Sequence, residues 1–557
     1  MRGPLPFFLG LIGLFGFSCA GGDTRQPAEF LDLEMLERDI LALSADSMLG
    51  RKAGTEGEER SAEFLRRRFE EIGLEAVAGS YYQSVGLVGT KKNGAESSLE
   101  IRDSKGPLDY VSEETLTYWS TAQKPGVEIR NAPLVFVGYG VQASEYGWDD
   151  LKGQDVRGKV LLFLNNDPPV SEDGQELFGG EARTYYGRWT YKFEQAMRLG
   201  AAGAFMIHTT PSASYPFSVV QHTGAEEHFA LDLPDTGYQV DLLGWLDEAT
   251  SERIAEGLNT TVEGLFEMAK QKDFQPADTG FRVSASIVTE IRRLQTRNVV
   301  GLLEGSDPIL KEQVLVFSAH YDHLGVNQEV AGDDKVFNGA WDNASGTASI
   351  LNLARAFVES TQRPRRSLLF LACAAEESGS LGSQWFVSDP PFERSRMVGN
   401  INIDMPQIFG PTADMAVIGV DTNSMGDDLR EIAGGFRVTG ADGTSKAVLV
   451  TGDPNPNAGS FYRSDQVNFA KAGIPALYLN PGKDYVPSLS FDPKVYEDAH
   501  YHQVSDQMDE HWNLAGLVRD LKIIAELTMR LATSDDMPRW HEGNEFEGEW
   551  KKLHGIE

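Results

Sequence analysis

The stretch SLLFLACAAEESG, residues 367–379, decides the fold. Its first six residues are a short apolar run bounded by a turn-prone Ser-Gly, which reads as a strand buried on both faces. That strand delivers two adjacent carboxylates, Glu376 and Glu377, at its carboxyl end. The same pattern of strand, loop and helix recurs on both sides of it from Asn298 onward. Strands are expected at 314–317, 400–403, 415–420 and 476–479. Helices are expected near 347–357, 383–387 and 466–472, with a long closing helix over 517–531. Such alternation predicts an α/β fold, a three-layer α/β/α sandwich around a mostly parallel, mixed central sheet.

In sheets of this kind ligands gather beyond the carboxyl ends of the strands. The chemistry-bearing residues fall there in turn. VLVF (314–317) runs into Ser318-Ala319-His320-Tyr321-Asp322. GAWDNASG (339–346) opens a helix and carries Asp342. NINI (400–403) runs into Asp404, and His502 lies in the late loop YHQVSD (501–506). Imidazole nitrogen and carboxylate oxygen are zinc ligands, and a catalytic site leaves one position open for water. Two neighbouring zinc ions need a bridging carboxylate between them. Glu376 and Glu377, adjacent at a strand end, cannot both point at one metal, so one can ligate while the other takes a proton from water. Asp322, two residues after His320, is placed to hold the imidazole from its second nitrogen.

Upstream, 31–43 and 61–72 have helical apolar spacing, the second stopped by Gly73, with the turn-rich GRKAGT (50–55) between them. From 118 to 292 the texture changes to buried strands at 133–139, 159–164 and 201–208 with a helix at 191–199, a compact unit that reads as an insertion between the N-terminal helical segment and the motif-rich half. The expected organisation is a targeting segment over 1–19, a linker over 20–30, the first part of the main domain over 31–117, the insertion over 118–292, the catalytic domain over 293–535 and a C-terminal tail over 536–557.

The chain of 557 residues carries 50 basic and 83 acidic side chains, a net charge of −33. That balance argues against nucleic acid as a partner, since phosphate binding needs clustered Lys and Arg. Arg2 followed by an apolar run over 6–17 resembles a signal peptide. Cys19 follows it, resembling the lipid-attachment cysteine of bacterial lipoproteins, although Gly16 stands where Leu is usual. The expectation is export to the cell envelope or outside, with membrane contact only through a lipid on Cys19 and plain cleavage as the alternative. Cys373 is the only other cysteine, so no intramolecular disulfide is expected after processing.

Taken together, His-x-Asp at 320–322, NGAWDNASG at 338–346, AAEESG at 374–379, NIDM at 402–405 and YHQVSD at 501–506 resemble the co-catalytic zinc aminopeptidases. That family also includes glutamate carboxypeptidases and glutaminyl cyclases. The resemblance covers about 298–531, and all five motifs stand in family order. The insertion resembles a protease-associated domain, through Gly138-Tyr139-Gly140 and RLGAAGA at 198–204. The resemblance implies two zinc ions bridged by Asp342, one completed by His320 and Asp404 and the other by Glu377 and His502. It further implies Glu376 as general base, Asp322 as the residue orienting His320, and Tyr501 as a group near the oxyanion. Trp341 stands where many relatives have an acidic residue. The implied activity is removal of N-terminal residues from peptides. Glutaminyl cyclisation, carboxypeptidase action and non-catalytic binding are the rival readings.

His323 and His500 are expected as surface or wall residues, and Cys373 as a small apolar residue packed under the site. Arg463-Ser464-Asp465 resembles a pocket-lining family segment, with a helix cap as an equal alternative.

Overall fold

The computed structural model describes residues 25–556 apart from 170, 173–174, 181, 234–239 and 441–442. The targeting segment and Cys19 lie outside the described residues. No helix among the described residues is long and apolar enough to cross a membrane.

The catalytic sheet includes, in chain order, β1 (Tyr82–Lys92), β2 (Ala277–Leu303), β3 (Val314–His320), β4 (Ser367–Cys373), β5 (Met397–Ile403), β6 (Asp414–Ile418), β7 (Leu449–Thr451) and β8 (Ala476–Asn480), with Glu75–Ala76 pairing on β2 and Glu227–Leu231 on β1. Their spatial order is β1-β2-β4-β3-β5-β8-β6-β7. The four central strands β4, β3, β5 and β8 are parallel, while β2 and β6 run antiparallel to their central neighbours. The sheet is therefore mixed and mostly parallel at its centre, as the alternation predicts. Every residue of β3, β4 and β5 is buried. Helices cover both faces, so these strands have no solvent side, and the polar Ser318, Asn400 and Asn402 within them are buried and hydrogen-bonded.

Helix α1 (Leu33–Leu43) and helix α2 (Glu56–Ile72) start the chain. Asp32 caps α1 by accepting from the amides of Glu34 and Met35, and Gly73 ends α2 in the left-handed conformation. Helix α3 (Ser345–Glu359) packs between α1 and the sheet, and helix α4 (Ala515–Thr533) closes the same side.

A second sheet forms the inserted lobe. Val160–Leu164 lies between Gly126–Phe136 and Gly203–Ile207, all three parallel. Leu242–Leu246 and Leu116–Trp119 extend it. This sheet already includes Ser98–Asp103, ahead of the boundary expected at 118. At the other boundary there is no break. Strand β2 is 27 residues long. Its first half pairs with Gly126–Phe136 in the lobe and its second half with β1 and β4 in the catalytic sheet. Alternating burial through most of its length hides this from sequence: a strand that leaves one sheet and enters another keeps the same period.

The segment read as a tail is folded. It ends in the helix Glu547–His554. Trp540, Phe546 and Trp550 bury themselves with Ala470, and Tyr185 of the inserted lobe and Tyr462 pack against them.

Candidate metal centre and active site

The site sits at the carboxyl ends of β3, β4 and β5. Parallel register brings His320 opposite Cys373 and Ser318 opposite Asn402, so the residues just beyond each strand converge. His320 Nε2 lies 3.2 Å from Asp342 Oδ1 and 3.3 Å from Asp404 Oδ1. His502 Nε2 lies 3.1 Å from Asp342 Oδ2 and 3.2 Å from Glu377 Oε2. The two oxygens of Asp342 thus face two different imidazoles, the position a bridging ligand must occupy.

Local backbone explains how Asp342 gets there. Gly339 adopts φ +54, and a Cβ on it would fall 2.3 Å from the Asp342 carbonyl and 2.6 Å from the His323 ring; only glycine fits. Asp506 receives the Trp341 and Asp342 amides at 2.9 and 3.1 Å. Asn343 ties the loop to β5 by donating to the Ile403 carbonyl and accepting from the amides of Gly346 and Met405. Trp341 points away from the metal side and donates its indole N–H to the Pro406 carbonyl at 2.9 Å.

Glu376 and Glu377 divide as their adjacency requires. Glu377 faces His502 and His323. Glu376 accepts from the Ser380 hydroxyl at 3.1 Å and meets no imidazole within ion-pair distance among the described residues. Burial pushes Glu376 well above the ordinary carboxylate range, and Asp465, Asp404 and Glu377 add to that against the opposing pull of His320. Burial also opposes the charge on Asp342, yet its bonds to His320 and His502 hold it well below the ordinary range.

Asp322 stands beside the His320 ring it is expected to orient: its Oδ1 is 3.9 Å from His320 Nδ1 and its backbone carbonyl 3.3 Å from the same nitrogen. The carboxylate also accepts from the amides of Glu376 and Glu377 at 2.9 and 3.3 Å. It therefore fixes the turn that carries both glutamates. Burial raises it to about 7.

His323 is not a surface residue. It is 1% exposed, and its Nδ1 lies 2.6 Å from Glu377 Oε1. It follows His-x-Asp too closely for spacing alone to show that the chain turns it back toward Glu377. Tyr501 stacks on the His502 ring at 3.9 Å. Of the segment 463–465, Ser464 and Asp465 are buried, and the Asp465 side chain makes no helix-cap bond. Cys373 is fully buried.

Arg51 was not marked by the sequence as more than part of a turn. It is fully buried and donates to the carbonyls of Leu43, Tyr321, Asn338 and Gly339. Burial lowers it to about 10, and Asp506 and Asp342 push back upward.

Among the described residues, two groups at this site have ligand atoms within metal-binding reach, His320, Asp342 and Asp404, and His323, Asp342 and Glu377; a third, Asp509, Glu510 and His511, lies elsewhere and is more exposed. The ring nitrogens His502 Nε2 and His323 Nε2 are buried without hydrogen-bond partners among the described residues. Imidazole nitrogens crowded against a knot of carboxylates, as His320 and His502 are against Asp342, Asp404 and Glu377, are the arrangement a cation completes. Nitrogen and oxygen donors together suit zinc.

The fold and the donor set define a zinc exopeptidase-like α/β scaffold. Residues 298–527 match peptidase family M28, the span in which the five motifs lie. Leupeptin-inactivating enzyme 1 of Streptomyces exfoliatus is 28% identical over 198 residues, 35% of this chain and 37% of that protein. A glutamate carboxypeptidase 2 homolog of Caenorhabditis elegans is 23% identical over 414 residues, 64% of this chain and 49% of that protein. The chain spans about half or less of the length of these curated relatives. Among solved structures, an aminopeptidase from Aneurinibacillus sp. strain AM-1 is similar with a TM-score of 0.48 at 18% identity, covering 93% of this chain and 97% of that one.

Proposed function

We propose that the protein is an aminopeptidase that removes N-terminal residues from peptides with the help of two zinc ions. One observation carries the reading: the two oxygens of Asp342 face separate imidazoles, with Glu376 left over as a buried carboxylate beside them. His320, Asp342 and Asp404 would hold one ion. Asp342, Glu377 and His502 would hold the other, with His323 orienting Glu377. When bound, the ions supply Lewis-acid polarisation of the scissile carbonyl and of the attacking water.

The remaining work falls to the chain. Glu376 accepts the water proton on a carboxylate oxygen and returns it to the leaving amine. Asp322 keeps that carboxylate in place through the two amides it receives. The carboxylates around the centre favour a protonated substrate amine. The inserted lobe, read as a protease-associated domain, covers the site and shapes its approach. We further propose that the chain is exported and anchored at the cell envelope by a lipid on Cys19.

Glu376→Gln should keep both metals and lose at least about 100-fold in kcat, the range of a lost general base. Metal analysis and hydrolysis of amino-acid anilides measure the two separately. Near-normal turnover by that variant would remove Glu376 from the mechanism, and one zinc per active chain would favour a cyclase. Cys19→Ser should move the protein from the membrane fraction to the soluble fraction of a bacterial host; unchanged fractionation would sink the anchor.

A further inference from the structure

A guanidinium inside a cavity is costly unless an acceptor meets it. Arg188 is 7% exposed. Its Nε has no hydrogen-bond partner among the described residues, and no carboxylate stands among the groups acting on it. Burial, helped by the positive charges of Arg463 and Arg183, draws it down to about 10, so it stays charged at neutral pH. Arg463, from the catalytic lobe, donates only to the Ala458 carbonyl. Arg183 is 5% exposed, bonds the Ser212 carbonyl and leaves its own Nε unpartnered among the described residues. Two other cations on the same wall, Arg198 and Lys471, both hold Glu194. Arg183 also acts on Asp167 and the exposed Arg463 on Asp453, so Arg188 is the one with no carboxylate among the groups acting on it, and the three arginines make this wall locally positive in a chain of net charge −33.

That patch and the metal centre open into one cavity of about 1480 Å³, lined at one end by Asp322, His323, Glu377 and Tyr501 and elsewhere by Arg188 and Arg463. The lining also includes the aromatic side chains Trp119, Trp189, Phe193, Tyr215 and Trp245. A peptide with its amine at the carboxylate-rich metal end presents its other charge, the terminal carboxylate, toward the arginines. Planar guanidinium groups match a carboxylate through paired hydrogen bonds.

We propose that Arg188 and Arg463 bind the C-terminal carboxylate of a short peptide whose amino end lies at the metal centre, making the enzyme a peptidase of small, free-ended peptides with apolar side chains. This rests on the aminopeptidase reading above. Both lobes contribute an arginine, so the inserted lobe selects substrate rather than only covering the site. Arg183 acts behind them by adding positive charge.

The test compares the zinc-loaded enzyme on the tripeptide Leu-Gly-Phe and on its C-terminal amide, with peptides of two to five residues as a length series. The free acid should exceed the amide in kcat/KM by at least about tenfold, mainly through KM. Arg188→Gln and Arg463→Gln should each bring that ratio toward one, and Arg188→Lys should restore part of it. Zinc content and melting temperature identify any variant that has failed to fold. A ratio near one in the wild type, or a ratio that survives Arg188→Gln, overturns the proposal. So does a preference that follows a glutamate side chain instead of the terminal carboxylate. If neither acid nor amide is hydrolysed, the aminopeptidase reading fails by itself. The arginine site is then judged by calorimetric binding of acid against amide to the Glu376→Gln protein, where equal affinity overturns it.

Discussion

Arg51 reaches the carbonyls of Tyr321 and Gly339, 270 and 288 residues further along the chain. Those two carbonyls belong to the loops that present His320 and Asp342. Removing the guanidinium leaves several buried acceptors without donors, each worth about 1–3 kcal/mol. Arg51→Met should therefore lower unfolding stability by about 3 kcal/mol or more and weaken zinc retention. A urea midpoint unchanged from the parent would show that the loops hold their shape without it. Glu376 and Glu377 illustrate the opposite case. Their division of roles follows from adjacency at a strand end, a local property. His323 lies between the two cases: it neighbours a motif, but only the fold of the 320–323 turn brings it onto Glu377. Arg188 stands at the far extreme, since it looks like an ordinary surface arginine until the inserted lobe is assembled.

At the scale of elements, the strands of the catalytic sheet and the helices beside them follow the periodicity closely, because wholly buried strands must be apolar throughout. The carboxyl-terminal segment does not. It has few apolar residues, yet three of its aromatic side chains fasten it against the region around Ala470 and the inserted lobe. Glu545 lies in this contact, accepting from the Tyr185 amide and the Tyr462 hydroxyl. Burial pushes it up to about 8, against the lowering effect of those two bonds. The folded state thus holds the Glu545 proton more tightly than the unfolded chain, where the group titrates near 4.5. Its proton-linked stabilisation is complete below that value and is lost as pH rises through about 8. Glu545→Gln should flatten the decline in stability between pH 5 and 8, read as urea midpoints of variant and parent across that range. Parallel curves would place the Glu545 proton outside the folding equilibrium.

For the whole molecule, the 27-residue strand β2 is the main joint. It supplies hydrogen bonds to both sheets, so neither lobe can shed its share without disturbing the other. Calorimetry should show one cooperative transition, and removing zinc with a chelator should lower that transition as a unit, since ligand binding to the native state stabilises everything coupled to it. Two separated transitions, with only one sensitive to chelator, would mean that β2 divides at the lobe boundary.

The sequence by itself determined the alternating sheet, the order of the ligand motifs and the residue types that zinc and a general base require. These are legible because each ligand sits next to the strand that delivers it, so local pattern and chemistry coincide. Only the tertiary structure decided that Asp322 also holds the glutamate turn, that His323 faces the site, that Arg51 braces two ligand loops and that arginines from both lobes share a cavity with the metal centre. Those features depend on contacts between segments tens to hundreds of residues apart, and no periodicity along the chain records which distant surfaces will be pressed together.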